Sequence, residues 1–233
     1  MAIRVITFDL DNTLWDVEPA LRRAEQAQRR WLLRHRPGAI DGLDREELEQ
    51  LRKQVLKSHP ELAHQVSALR KRLLQRLQER AGFDRRAALA GAQQAFAAFL
   101  RERRRVVLYA GALEVVERLA GRYQLGALTN GNADIYQTEA GEYFDFAVLA
   151  ENIGASKPAP AMFHAALEQT GARPSEVIHV GDHPEHDVLG ARRAGLRAVW
   201  INPAGQRWPY DERPDAQIEH LGQLAPAIAA IDV

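Results

Sequence analysis

Roughly ninety residues with almost no strand signal separate one isolated strand from a long stretch of alternating strands and helices. No other feature so strongly limits what this 233-residue chain can fold into. Residues 18–36, 44–58, 61–81 and 84–104 are rich in Leu, Ala, Arg, Gln and Glu. Their apolar residues recur at helical spacing, as in Leu62, Val66, Leu69, Leu73 and Leu77. Breaks fall at Pro37-Gly38, Pro60 and Gly82. Ahead of this block, Ile3-Arg4-Val5-Ile6-Thr7-Phe8 is short, β-branched and aromatic, and reads as a buried strand. Behind it, predicted helices at 112–121, 134–141, 160–170 and 186–194 alternate with predicted strands at 124–129, 146–149, 177–181 and 198–202, and a last helix covers 221–231. Such alternation implies right-handed crossovers and a parallel sheet. The first strand has no partner nearby in sequence, so it joins the later sheet. The expected organisation is therefore one α/β domain (residues 1–16 plus 109–233) with an all-helical insertion (17–108).

The formal net charge is zero, but residues 17–108 hold 21 Lys and Arg against 11 Asp and Glu, a net of +10, and the remainder carries −10. The two regions thus differ in composition as well as in periodicity. At 46% apolar and 27% charged, with 16 Gly and 11 Pro, the chain is neither disordered nor collagen-like. No apolar run approaches the ~18–20 residues of a membrane span, so no membrane association is expected. Asp9 and Asp11 fall where a signal peptide has its apolar stretch, so a cytoplasmic location is expected. The absence of cysteine excludes disulfides, thiolate metal sites and cysteine nucleophiles.

In an open parallel sheet, ligands bind beyond the carboxyl ends of the strands. Polar residues gather at those positions. Asp9-Leu10-Asp11-Asn12-Thr13 follows the first strand, and Thr129-Asn130-Gly131-Asn132 follows the second. Ser156-Lys157-Pro158 precedes the helix at 160, and Gly181-Asp182, with Asp187 five residues on, follows the fourth. Singly, these are turn formers, helix caps and a loop lysine. Together they place several carboxylates, a hydroxyl and an ammonium on one edge. Crowded carboxylates need a cation, and an all-oxygen set suits Mg²⁺, which also binds substrate phosphate. One carboxylate can attack phosphorus, and another two residues on can move the proton. Lys157, Thr129 and backbone N–H groups near Asn130 and Gly131 can hold the phosphoryl oxygens.

Asp9-x-Asp11-x-Thr13, Thr129, Lys157-Pro158 and Gly181-Asp182-x4-Asp187 together resemble the four motifs of the haloacid dehalogenase-like hydrolase superfamily. The resemblance implies a Rossmann-like core with a helical cap inserted after the first strand. It implies Asp9 as nucleophile and Asp11 as general acid/base. It further implies Mg²⁺ held by Asp9, the Asp11 backbone carbonyl and Asp182, with Asp187 in support. The dehalogenases that name the superfamily lack the second acid of the first motif, so Asp11 points to a phosphatase of a small phosphorylated metabolite. Pro60-Glu61-Leu62-Ala63-His64-Gln65-Val66 and Arg70 are also similar to bacterial phosphatases of flavin mononucleotide and of the riboflavin precursor 5-amino-6-(5-phospho-D-ribitylamino)uracil. Gln65 departs from an acid in that group.

Three further residues are candidates for substrate contact: Trp15 by stacking on a ring, and His64 and Arg70 from the helical insertion. His183 and His186 flank Asp182 and Asp187 and read as solvated loop histidines. A basic insertion is expected to draw in anionic substrates. Two rivals stand beside the phosphatase, a 2-haloacid dehalogenase and a non-catalytic phosphoacceptor of the receiver type. The latter has its acceptor on a later strand and carries no such insertion. Nucleic-acid binding is not expected, since no recognition motif accompanies the basic residues.

Overall fold

A computed structural model of the chain describes residues 2–232. Contacts divide it into two compact units, one made of the segments up to Val17 and from Val106 onward, the other Glu18–Arg105.

The first unit is built on one six-stranded sheet. Its strands are β1 (Val5–Phe8), β2 (Gln124–Thr129), β3 (Phe146–Leu149), β4 (Val177–Gly181), β5 (Arg197–Ile201) and β6 (Ala216–Ile218). They run in the order β3-β2-β1-β4-β5-β6, every neighbouring pair parallel. The chain moves outward from β1 through β2 to β3, then crosses back to lay β4 on the other flank of β1. The crevice where the winding reverses therefore lies at the carboxyl ends of β1 and β4. All four residues of β1 are buried, as expected of a strand covered on both faces. Ile6 and Phe8 pack with Leu125, Ile178 and Val180 on one face, where α5 (Ala112–Ala120) and α9 (Leu224–Ile231) cover the sheet. Val5 packs with Leu128, Val177 and Trp200 on the other, beneath α7 (Pro160–Thr170) and α8 (Gly190–Arg193).

The second unit contains α1 (Val17–His35, whose first residue belongs to the first unit), α2 (Arg45–Ser58), α3 (Val66–Arg80) and α4 (Arg85–Arg103). Asp44 and Asp84 start α2 and α4 by accepting the N–H groups of Glu47 and Ala87. Ala24 and Leu32 of α1 meet Leu74 of α3 and Ala92, Ala95, Phe96 and Phe99 of α4 in the core of this unit. No helix among the described residues is long and apolar enough to cross a membrane.

Four details differ from the pattern expected of the sequence. The helix expected over 61–81 starts at Val66. Pro60–His64 forms a separate 3₁₀ turn closed by the Leu62 N–H to His59 O and the Gln65 N–H to Leu62 O. Val66 is consequently 36% exposed, and Leu69, Leu74 and Leu77 supply the buried face. The helix expected over 134–141 is two short turns, Ile135–Gln137 and Gly141–Tyr143. The expected helix over 186–194 begins as a wide π-type turn, Pro184–Leu189, before α8. Strand β6 and the one-turn α6 (Ala150–Ile153) are too short to leave a periodic signal.

Candidate active site

Beyond the carboxyl ends of β1, β2 and β4, a cavity of about 170 Å³ is lined by Asp9, Asp11, Asn12, Thr129, Asn130, Gly131, Lys157, Asp182, His183, His186 and Asp187. Eight residues singled out in the sequence thus converge in one place. Register explains the first step. Phe8 pairs with Val180, and the Asp9 N–H continues the ladder to Val180 O at 2.9 Å, so the carboxylate is carried to the rim on the last rung.

Lys157 stands at the centre. Its Nζ lies 2.7 Å from Asp9 Oδ1, 2.6 Å from Asp187 Oδ1 and 2.6 Å from the Leu128 carbonyl, and the side chain is buried. Its backbone is clamped by Asn130, whose Oδ1 accepts the Lys157 N–H at 2.7 Å and whose Nδ2 donates to the Lys157 carbonyl at 2.9 Å. The Lys157-Pro158 peptide bond is cis. Thr13 bridges the other side, its hydroxyl 3.4 Å from Asp9 Oδ2 and 3.5 Å from Asp182 Oδ1. Asp187 Oδ2 accepts the His183 N–H at 2.9 Å. Gly181 makes room for this, because a Cβ there would overlap the Asp187 carboxyl group.

Burial raises the Asp9 pKa to about 8; Lys157 opposes the rise, and Asp187 and Asp182 add to it. Asp182 is lifted to about 6 by burial and by Asp187. Burial pushes Asp187 upward too, but Lys157 and His179 outweigh it and hold that carboxyl well below its usual range. Burial likewise works against the Lys157 charge, and Asp187 and Asp9 overcome it, so the ammonium is retained.

One ammonium among three carboxylates leaves a charge deficit. Asp9, Asp182 and Asp187 each present an oxygen within 4.8 Å of the others. An all-oxygen cluster with uncompensated negative charge fits a hard divalent cation such as Mg²⁺. Asp187 already accepts from three donors, His179, Lys157 and the His183 N–H, whereas Asp9 accepts from Lys157 and the more distant Thr13 hydroxyl and Asp182 from Thr13, so Asp9 and Asp182 could serve as direct ligands with Asp187 in support.

The structure corrects the expectation for Trp15. Trp15 cannot stack on a substrate ring. It is fully buried, and its Nε1–H donates to Asp11 Oδ1 at 2.8 Å, so its work is to hold the Asp11 carboxylate. The Asn130 side chain is taken up by the Lys157 backbone. The Gly131 N–H donates to Thr129 Oγ1 at 2.9 Å, and this contact leaves the Thr129 hydroxyl hydrogen free to turn elsewhere in the cavity it lines. His64 and Arg70 belong to the helical unit. His64 ends the 3₁₀ turn Pro60–His64. The Arg70 guanidinium lies 3.9 Å from the centroid of the Phe99 ring and 4.0 Å from Glu25, in surroundings that lower its pKa through burial.

Sequence reasoning gave Thr7 and His179 no role. His179 is buried and paired with both Thr7 and Asp187. Its signal was a polar residue at the third position of each of two otherwise apolar strands.

The family model for haloacid dehalogenase-like hydrolases matches residues 3–195. The chain is 34% identical over 230 residues to the 5-amino-6-(5-phospho-D-ribitylamino)uracil phosphatase YigB of Escherichia coli, covering 97% of this chain and 96% of that protein. It is 34% identical over 169 residues to a phosphoserine phosphatase of Thermus thermophilus, covering 70% and 66% of the two chains. A crystal structure described as a 2-haloacid dehalogenase from Pseudomonas syringae pv. Tomato DC3000 superposes with a TM-score of 0.94 at 42% identity, over 97% of this chain and 98% of that one. By the extent of the family match and the full-length relative, the chain belongs to the haloacid dehalogenase-like hydrolases.

Proposed function

We propose that this hydrolase is a Mg²⁺-dependent phosphomonoesterase that works through an aspartyl-phosphate on Asp9. The observation that carries the reading is the Asp11 carboxylate. It lines the cavity beside Asp9 and is held there by Trp15 Nε1 at 2.8 Å. A leaving alkoxide needs a proton, whereas a leaving halide does not, so a carboxyl group fixed at this point suits ester cleavage.

In the first half-reaction an Asp9 oxygen attacks phosphorus, the P–O bond to the alcohol breaks, and Asp11 gives its proton to the departing oxygen. In the second, Asp11 takes a proton from water as that water attacks phosphorus. The acyl–phosphate bond then breaks, returning the Asp9 carboxylate and inorganic phosphate. Lys157 keeps Asp9 oriented, and with the Thr129 hydroxyl it faces the charge that spreads over the phosphoryl oxygens. Asp9, Asp182 and the Asp11 carbonyl would hold Mg²⁺, with Asp187 in support; when bound, the ion neutralises carboxylate and phosphoryl charge.

The full-length likeness to YigB supports a small phosphorylated metabolite of the ribitylaminouracil or flavin class as substrate. His64, Gln65 and Arg70 are the helical-unit residues to vary when testing that choice. The structural neighbour described as a 2-haloacid dehalogenase favours a second reading, in which Asp9 displaces halide. Side-by-side assays decide: phosphate release from phosphomonoesters with Mg²⁺, and halide release from 2-haloacids. Phosphate release that is lost in Asp9→Asn and suppressed in Asp11→Asn is the expected result. Halide release that survives Asp11→Asn would overturn the phosphatase reading.

A further inference from the structure

Strands β1 and β4 each carry one polar residue at their third position, Thr7 in Val-Ile-Thr-Phe and His179 in Val-Ile-His-Val-Gly. The parallel register pairs Thr7 directly with His179. Alternation along the strands sets both on the face covered by α7, where the Phe163 ring meets the imidazole edge-on at 5.3 Å between centroids. Both side chains are buried. Two buried polar groups side by side in an apolar layer are costly unless their hydrogen bonds are complete.

They are complete in one direction. His179 Nε2 lies 3.2 Å from Asp187 Oδ1, and His179 Nδ1 lies 2.9 Å from Thr7 Oγ1. Asp187 is ionised against Lys157 and can only accept, so Nε2 carries the hydrogen. A second proton on Nδ1 would bury an imidazolium close to the Lys157 ammonium. Nδ1 therefore keeps its lone pair, and at 2.9 Å it is the nearer of two acceptors for the Thr7 hydroxyl, the Ile178 carbonyl lying at 3.3 Å. The chain of donors runs Thr7 O–H to His179 Nδ1, then His179 Nε2–H to Asp187 Oδ1.

We propose that Thr7 and His179 are positioning residues: Thr7 supports the Nε2–H tautomer that Asp187 selects, and that Nε2–H pins Asp187 so that Lys157 stays shared between Asp187 and Asp9. Three donors then hold Asp187, namely His179 Nε2–H and Lys157 on Oδ1 and the His183 N–H on Oδ2. Without the imidazole, Asp187 draws on Lys157 alone at Oδ1, and the lysine is pulled from Asp9. The activity arm of this inference rests on the hydrolase reading above; the tautomer and the cation affinity do not.

Two substitutions separate the halves of the relay. His179→Gln can place an amide N–H near the Nε2 position, facing Asp187. His179→Asn can reach only the Nδ1 position, facing Thr7. The wild-type enzyme should show His179 protonated at Nε2 and not at Nδ1 in long-range ¹H–¹⁵N spectra, and Thr7→Val should erode that preference. His179→Asn should lower kcat for p-nitrophenyl phosphate by about 10- to 100-fold and weaken Mg²⁺ binding measured by calorimetry, the range for partners that orient a metal site. KM should stay within about twofold, because no substrate contact is removed. His179→Gln should recover most of both losses. An Nδ1–H tautomer in the wild type would overturn the proposal, as would equal kcat and equal Mg²⁺ affinity in the Asn and Gln variants. Should p-nitrophenyl phosphate not be turned over at all, the phosphatase reading fails, and the tautomer and the Mg²⁺ affinities still decide the relay.

Discussion

Replacing Lys157 with methionine keeps most of the side-chain volume and removes the one ammonium at the centre of the cluster. Its Nζ now meets Asp9 Oδ1 at 2.7 Å, Asp187 Oδ1 at 2.6 Å and the Leu128 carbonyl at 2.6 Å. After the change Asp187 still accepts from His179 and the His183 N–H, whereas Asp9 keeps the Thr13 hydroxyl at 3.4 Å. Breaking a buried pair from one side costs about 3–5 kcal/mol, because the remaining charge is stranded. For a chain of this length each kcal/mol shifts the midpoint by roughly 2–4 °C, so Tm should fall by about 6–20 °C. Asp9 is the partner left with least support, so Asp9→Asn should relieve part of the loss. In that background the same lysine change should cost about 1–2 kcal/mol less, within the usual coupling of contacting residues. The assay is urea unfolding with a chelator present, so that no divalent cation substitutes for the lysine. A Trp31→Phe background removes the tryptophan of the helical unit, leaving Trp15, Trp200 and Trp208 to report on the sheet unit alone. A loss below about 1 kcal/mol would refute the reasoning, since that is the scale of an ordinary point substitution. A cost unchanged by Asp9→Asn would show that the lysine is supported elsewhere.

Three other outcomes follow from named contacts. Gly181→Ala forces a Cβ into the Asp187 carboxyl group, so it should weaken Mg²⁺ binding and cost about 1–3 kcal/mol of stability; calorimetry and unfolding on the same preparation check both, and wild-type values for both count against the packing. Trp15→Phe removes the N–H that holds Asp11 and should lower kcat by roughly tenfold for esters with poor leaving groups. The drop should be smaller for p-nitrophenyl phosphate, whose leaving group needs little protonation, and an equal drop for both would separate Trp15 from proton transfer. Asp215 accepts from the Ala198 N–H at 2.9 Å, from Arg192 at 2.8 Å and from Arg197 at 3.0 Å. Burial pushes its pKa up, but these donors outweigh it and depress the value below 3.8. The stability they give is therefore present above the unfolded value and lost as pH falls through the folded one. Asp215→Asn should cost about 1–2 kcal/mol at pH 7, scaled down for the exposure of the arginines. In urea titrations the gap to wild type should close at acid pH; a gap independent of pH contradicts the assignment.

How much of this was legible in the sequence depends on whether a residue's role is set by its strand or by its neighbours in space. The convergence of Asp9, Thr129, Lys157, Asp182 and Asp187 could be anticipated, because strand ends in a parallel sheet all open on one edge and apolar runs mark those ends well. The work of Trp15 could not. Its indole donates to Asp11 only because the chain turns back at Asn12, which takes a positive φ of 62° and lets Trp15 O accept the Asn12 N–H at 2.7 Å. Nothing in the spacing of Asp11 and Trp15 separates that return from a residue facing a ligand. The clamp of the Asn130 side chain on the backbone of Lys157, 27 residues away, was no more legible from spacing. The break at Gln65 was missed because apolar spacing continues across it, while the 3₁₀ turn before it is closed by backbone bonds that carry no side-chain signature. Thr7 and His179 are the instructive pair. Each is a plain exception to the apolar pattern of its own strand, and neither means anything alone. Their meaning arises from register, which pairs the two third positions and makes one buried polar group the answer to the other. Polar exceptions at equal depth in two strands expected to be neighbours should therefore be read as a pair, and the pair examined for what lies at its far end. Here that is Asp187.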